Sequence, residues 1–153
     1  MTSPRWLTAR QERAWRRYRR MRTLLDLQIA RDLNHDSGLS ETDYDVLSTL
    51  SEKPGSQWRA RDLAAQLLWS TSRLAHHLGR MEQRGLVRRD ECATDSRGAE
   101  VVLTDAGSSA FRRSSAPHLH AIQDLFVGAL TPAQLAAVEE LTTTLSAHLE
   151  RAS

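Results

Sequence analysis

The chain contains a single cysteine, Cys92, among 153 residues. One thiol cannot form an internal disulfide, and it excludes zinc sites built from several cysteines. No stretch approaches the roughly 20 apolar residues that a transmembrane helix requires. The arginine-rich N-terminus lacks the apolar segment of a secretory signal. We therefore expect a cytoplasmic protein without a membrane partner.

The sequence also lacks the motifs of common enzymes. There is no Gly-x-Ser-x-Gly elbow, no glycine-rich phosphate loop and no dinucleotide fingerprint. His76 and His77 are adjacent, and His118 and His120 are two apart. Neither spacing places two imidazoles on one helical face, as the i,i+4 spacing of zinc helices does. We expect no enzyme, no cofactor and no metal site, and an enzyme that uses these histidines is the remotest alternative.

Arginine is abundant and unevenly distributed. Residues 1–34 carry a net charge of +6 and residues 117–153 a net charge of −3. Three roles remain open for the arginines between positions 10 and 22. They can pair with the acidic C-terminal helices of either subunit, add attraction for DNA, or balance the charge of an anionic effector.

Helix signals dominate both ends of the chain. From residue 4 to about 34, apolar residues recur at spacings of three and four, as on one face of a long helix. At about 1.5 Å per residue this helix reaches some 40 Å, too long for a domain of this size to cover, so we expect it to pack on another subunit. His35 to Gly38 is predicted to be a loop.

Thr104 begins a helix toward Gly128 in which Pro117 predicts a kink or a break. Thr131 and Gln134 predict a capping box for the last helix.

The middle of the chain reads as a winged helix-turn-helix. Ser40 predicts the cap of a helix that ends at Pro54-Gly55. Two short helices, 61–68 and about 70–84, are separated by a turn at Trp69-Ser70, and Gly85 predicts the cap that ends the second. Strands are expected at 86–89 and 101–103, with turn residues 94–98 between them and a short strand at 56–58 beside them. The predicted fold is mainly α with a small β-hairpin wing.

The second short helix carries the candidate DNA contacts. If Leu74, Leu78 and Met81 face the core, the helical period sends polar residues outward or sideways. Arginine can donate two hydrogen bonds to guanine, and hydroxyl groups and histidines can contact bases or phosphates. The residues predicted to contact DNA here are Ser70, Thr71, Ser72, Arg73, His76, His77, Arg80 and Arg84. Among these, Arg80 or Arg84 is expected on backbone phosphates.

The hairpin adds a second candidate contact. Arg97 lies at the tip of the turn, and an arginine there can enter the narrow minor groove of A·T-rich DNA. Asp95 is two residues earlier and is placed to hold the guanidinium or the turn. An ordinary turn-capping aspartate beside a solvated arginine is the alternative.

These residues resemble the MarR (multiple antibiotic resistance regulator) family from about Leu24 to Leu149. The most specific matches are Gly85-Leu86-Val87-Arg88-Arg89, Asp95-Ser96-Arg97-Gly98 and Leu103-Thr104-Asp105-Ala106-Gly107. The resemblance implies an obligate homodimer, with 1–36 and 105–153 as the helical dimerisation region and 37–104 as the winged DNA-binding domain. It also implies a repressor that releases double-stranded DNA when it binds a small, often phenolic effector; the arginine cluster leaves an anionic effector open as well.

Two copies related by a two-fold axis would present their recognition helices about 34–36 Å apart, so the operator is expected to be an imperfect palindrome. Two alternatives stay open. One is an architectural DNA-binding dimer that needs no effector. The other is a redox-sensing regulator that uses Cys92, whose partner thiol would come from another subunit or a small molecule.

Overall fold

The computed structural model of the chain describes residues 6–53, 55, 57–91 and 98–152. Within these residues the helices are α1 (Ala9–Ser37), α2 (Glu41–Ser51), α3 (Ala60–Gln66), α4 (Thr71–Gln83), α5 (Asp105–Ile122) and α6 (Pro132–Ala152). The strands are β1 (Gln57–Arg59), β2 (Val87–Glu91) and β3 (Ala99–Leu103). The predicted fold class, helices with a small β-hairpin wing, is confirmed.

The three strands form one antiparallel sheet in the order β1-β3-β2. Val87 pairs with Leu103 and Glu91 with Ala99, so β2 and β3 are the two arms of the wing. On the other side of β3, Trp58 pairs with Val101. The strand expected at 56–58 is therefore present, with its bounds at Gln57–Arg59.

The described residues form two units. One consists of the chain up to Ile29 and from Leu119 onward, and the other of Ala30–His118. The second unit contains the hydrophobic core, in which side chains from α2, α3, α4 and the sheet interlock; fully buried members include Leu47, Leu50, Leu63, Leu74, Leu78, Met81 and Val101. No described residue of the first unit is buried within the chain.

Three of the predicted caps are confirmed. Ser40 and Asp43 form a reciprocal capping box at the start of α2. Gly85 has a φ of 71°, the left-handed conformation that ends α4. At α6, the Thr131 amide donates to Gln134 Oε1 (2.9 Å) and the Gln134 amide donates to Thr131 Oγ1 (3.2 Å).

One local prediction is wrong and a second is wrong in part. The loop expected at His35–Gly38 is mostly helix, because α1 continues to Ser37 and the Gly38 amide still donates to the carbonyl of Asn34 at 2.8 Å. Of the kink or break predicted at Pro117, the break is absent, since α5 continues to Ile122. A proline removes one backbone donor, and the flanking turns retain theirs. A π-helical turn, Gln123–Val127, follows α5 and was not anticipated.

Among the described residues no single helix is long and apolar enough to cross a bilayer. The segments Asp105–Val127 and Pro132–Ala152 satisfy the length and composition only when taken together, and they are bent by 100°.

Candidate nucleic-acid interface

The recognition helix α4 begins at a well-defined cap. The Ser70 Oγ accepts the backbone N–H of Arg73 at 3.2 Å, as an N-cap hydroxyl does. Two residues earlier, Leu68 adopts a φ of 55° and leaves 92% of its surface exposed. This left-handed residue makes the tight turn between α3 and α4, so the structure has the helix-turn-helix that the sequence predicts.

One face of α4 packs on the core and the other is exposed. Leu74, Leu78 and Met81 are buried at i, i+4 and i+7. The exposed positions on the remainder of the helix are Thr71, Ser72, Arg73, Ala75, His76, Arg80 and Gln83. Hydroxyl, guanidinium and imidazole groups thus share the solvent-facing side, the chemistry that reads base edges and phosphates.

Arg73 is oriented by an aromatic ring before any ligand binds. Its guanidinium carbon lies 4.2 Å from the ring centroid of Trp69, within the range of a cation–π contact. The same indole meets His77 edge-on, with ring centroids 5.6 Å apart. Trp69 therefore fixes Arg73 at the N-terminal end of the recognition helix.

The prediction that His77 faces DNA is wrong. Its exposed fraction is 6%, because it follows Leu74 by three residues and lies on the flank of the buried stripe. Its Nε2 lies 3.0 Å from Asp43 Oδ1, a close polar approach that does not form a hydrogen bond. On the other side of the ring, Arg80 Nη2 lies 2.8 Å from Nδ1. His77 therefore lies inside the protein, between Asp43 of α2 and Arg80 of α4.

Asp43 joins the recognition helix to α2. Its Oδ2 accepts from Arg84 Nη1 at 2.6 Å and from the backbone N–H of Ser40 at 3.0 Å. Arg84 also donates to the carbonyl of Gly38 at 3.2 Å. Two of the guanidinium nitrogens of Arg84 are thus used inside the protein, which argues against the phosphate contact expected of it and leaves Arg80 as the stronger candidate.

Burial and neighbouring charges set the protonation states of Asp43 and His77. Burial pushes the pKa of Asp43 upward, but hydrogen bonds from Arg84 and Ser40 outweigh it and leave the pKa below its ordinary value. Burial lowers the pKa of His77, and the charges of Arg80 and Arg84 add to that effect against the opposing charge of Asp43. Because Arg80 can only donate, Nδ1 must be the acceptor, which makes His77 neutral with its proton on Nε2.

The wing is tied to α4 by an ion pair. Arg89 of β2 bonds to Glu82 through its backbone N–H (2.9 Å) and its Nε (2.7 Å). The hydrogen bond from Arg89 lowers the pKa of Glu82, so the carboxylate stays charged. The predicted minor-groove contacts Asp95 and Arg97, and also Cys92, lie outside the described residues.

The sequence did not predict the roles of three residues in this region. Gln83 is exposed on the same side of α4 as His76, and its helical position alone could have revealed it. Trp69 precedes Arg73 by four residues, a spacing typical of contacting pairs near a helix. Asp43 gave no signal beyond its capping position, because its partners are 34 and 41 residues away.

The first unit holds a cavity of about 470 Å³. Apart from Gln28, its lining is apolar, formed by Met21, Leu24, Leu25, Leu125, Phe126, Ala129, Leu130 and Val138. Across the described part of the chain, no group of three or more His, Cys, Asp or Glu side chains is arranged to hold a metal ion.

Comparison with known proteins agrees with this geometry. A MarR family model matches residues 37–98. The transcriptional regulator HosA of Escherichia coli is 32% identical over 114 residues, which cover 74% of this chain and 82% of HosA.

Two solved structures from Streptomyces coelicolor are also similar. AbsC, a MarR family transcriptional regulator, is 35% identical with a TM-score of 0.90, covering 96% of this chain and 99% of AbsC. Sco3205, of the same family and solved in complex with DNA, is 35% identical with a TM-score of 0.89, covering 94% of this chain and 90% of that one. By its helix-turn-helix, its wing and this similarity over most of its length, the chain belongs to the MarR family of transcriptional regulators.

Proposed function

We propose that this chain is a homodimeric, sequence-specific repressor that binds a pseudo-palindromic operator in the cytoplasm. The observation that carries the proposal is the exposed face of α4, where Ser72, Arg73, His76 and Arg80 follow a helix N-terminus that Ser70 caps. A helix N-terminus attracts phosphate, and the side chains around it can read the major groove. Sco3205, 35% identical to this chain, was solved in complex with DNA, which supports DNA as the partner.

Each polar group on this surface has a proposed task. Arg73, with His76 and Ser72, contacts base edges, while Ser70, Thr71 and Arg80 contact backbone phosphates. Arg97, two residues after Asp95 in the sequence, is the proposed minor-groove contact. Phosphate contacts supply affinity for any duplex, and base contacts supply the preference for one sequence.

A second copy of the chain is the proposed partner of the first unit. None of its described residues is buried within one chain, yet it exposes many large apolar side chains: Trp15, Tyr18, Met21, Leu24, Leu27, Leu119, Leu135, Leu141, Leu145 and Leu149. A helical unit without a core of its own is stable only when another surface covers it. The arginines in the first half of α1 are positively charged and the glutamates of α6 are negatively charged, so α1 of one copy can attract α6 of the other.

A small effector is the proposed signal for DNA release. The cavity between α1, the π-helical turn and α6 has the size of a ligand site, and Gln28 is its one polar side chain. This lining favours a phenolic or other largely apolar compound over an anionic one. Such a compound would act by preferring a spacing of the two recognition helices that DNA does not fit.

Selection of duplexes from a randomised library tests the proposal. We expect the wild-type chain to enrich an imperfect palindrome with half-sites one helical turn apart, and to sediment as a dimer. Enrichment of no sequence, with equal affinity for all duplexes, would favour the architectural DNA-binding dimer. A chain that binds no duplex, or a monomer that binds single sites, would refute the proposal.

A further inference from the structure

The recognition helix is fastened to α2 by one buried carboxylate. Asp43, 3% exposed, meets α4 at two points that lie two turns apart, His77 near the middle and Arg84 at the C-cap. Apolar contacts along Leu74, Leu78 and Met81 are non-directional and define the orientation of a helix less sharply than polar contacts do, so that small rotations or shifts remain to be restricted. The ion pair between Arg84 and Asp43, together with the 3.0 Å approach of His77 Nε2 to the same carboxylate, restricts both movements.

The carboxylate is itself held in place. It accepts the Ser40 backbone N–H, and the Ser40 Oγ accepts the Asp43 N–H at 3.1 Å. Arg84 reaches past it to the carbonyl of Gly38. The N-terminus of α2 and the end of α1 therefore form one rigid support for α4.

From this geometry we infer that Asp43 is a positioning residue for DNA recognition, which sets the angle at which α4 presents Arg73 and His76 to base edges. The inference rests on the proposed function and adds to it a residue that does not touch DNA. Base contacts require alignment within a fraction of an ångström, whereas attraction to phosphates tolerates a tilted helix. Loss of Asp43 should therefore reduce sequence selectivity more than affinity for arbitrary DNA.

Protonation of the His77 ring would disturb the contacts that hold α4 in place. The charged groups that face its ring are Asp43 from α2 and Arg80 and Arg84 from α4, and the indole of Trp69 covers one edge. The contact from Arg80 requires an unprotonated Nδ1. A proton on Nδ1 would expel Arg80, which lies on the DNA face, and loosen the middle of α4.

The experiment measures selectivity, defined as the affinity for the duplex selected by the wild-type chain divided by that for a shuffled duplex of equal composition. We expect Asp43→Asn to lower selectivity at least tenfold at 20 °C and pH 7.5, with the shuffled duplex bound almost as before. Asp36→Asn, which removes the same charge from an exposed ion pair with His35, is the matched control and should leave selectivity unchanged.

A pH profile separates positioning from general stability. Wild-type selectivity should fall between pH 7.5 and 5.0. In His77→Gln, whose amide can donate to Asp43 and accept from Arg80 without titrating, the fall should be smaller than in wild type. His35→Gln should retain the wild-type fall. Circular dichroism at each pH confirms that the variants compared are folded.

The outcomes are distinct. Wild-type selectivity in folded Asp43→Asn, or a lowered melting temperature with unchanged selectivity, would overturn the inference and leave the proposed function standing. The same pH profile in His77→Gln as in wild type would overturn the coupling. A wild-type chain that binds no duplex would overturn both proposals. If Asp43→Asn does not fold, Arg84→Gln, which removes the ion pair with Asp43, takes its place and should lower selectivity in the same way.

Discussion

Gly107, in the first turn of α5, packs directly against the backbone carbonyl of Leu86, which enters the wing. A Cβ on residue 107 would overlap that carbonyl and also crowd the side chain of Leu103. Thr104 completes the junction, since its Oγ1 donates to the carbonyl of Gly85 at 2.6 Å and accepts the Gly107 N–H at 3.0 Å. The start of α5 is thereby locked to the end of α4 and the start of β2.

Gly107→Ala should destabilise the protein because backbone cannot move aside as a flexible side chain can. Overpacking of this kind costs about 1–3 kcal/mol in the free energy of unfolding, measurable by urea denaturation. Gly79→Ala is the matched control, since nothing lies within 4 Å of a Cβ at that helical position. It should stabilise by about 0.5–1 kcal/mol. Equal effects of the two substitutions would contradict the close contact.

Leu68→Gly should stabilise the protein. Leucine at a φ of 55° is strained, and its side chain is almost fully exposed, so little packing is lost with it. We expect a gain of about 1 kcal/mol in thermal or urea unfolding. Leu68→Ala keeps the strain and should have nearly no effect. A gain from alanine equal to that from glycine would show that the backbone conformation is not the cause.

Arg73→Ala should relax base preference at one position of each half-site by about 1–3 kcal/mol. Arg73→Lys keeps the charge but cannot donate two parallel hydrogen bonds, so it should restore general affinity without restoring the base preference. Fluorescence anisotropy across a salt series separates the two effects. Wild-type selectivity in Arg73→Ala would remove this residue from base readout.

Leu145→Glu should weaken self-association. Leu145 is 44% exposed within one chain and lies on the apolar stripe of α6, so a glutamate there would place an unpaired charge in the proposed interface. We expect the dimer dissociation constant to rise at least tenfold in sedimentation velocity. Thr143→Glu is the control, because two residues along a helix is close to the opposite face. Similar losses in both variants would argue against this face as the contact.

The sequence predicted most of the fold because its signals are local. The cap at Ser40, the box at Thr131 and the left-handed Gly85 each depend on a few adjacent residues, and all three are confirmed. The polar contacts of α4 are not local. His77 was assigned to the DNA face because helical periodicity defines the width of a buried stripe only loosely. Its buried neighbour Asp43 lies 34 residues earlier in the sequence. Long-range polar pairs of this kind leave no periodic signal.

Stability should fall as the pH drops below about 6.5, the ordinary pKa of histidine. Burial lowers the pKa of His77 and of His118, against the opposing charges of Asp43 and Asp45. The unfolded chain therefore takes up these protons first, so their contribution is complete above pH 6.5 and is lost as the pH falls toward the lowered values. Urea unfolding at pH 7.5, 6.5 and 5.5 should show this loss in wild type and a smaller one in His77→Gln and His118→Gln.

His35 supplies a control of opposite sign, since its hydrogen bond with Asp36 raises the pKa of the imidazole. His35→Gln should therefore steepen the loss, and an unchanged slope in all three variants would contradict the assignment.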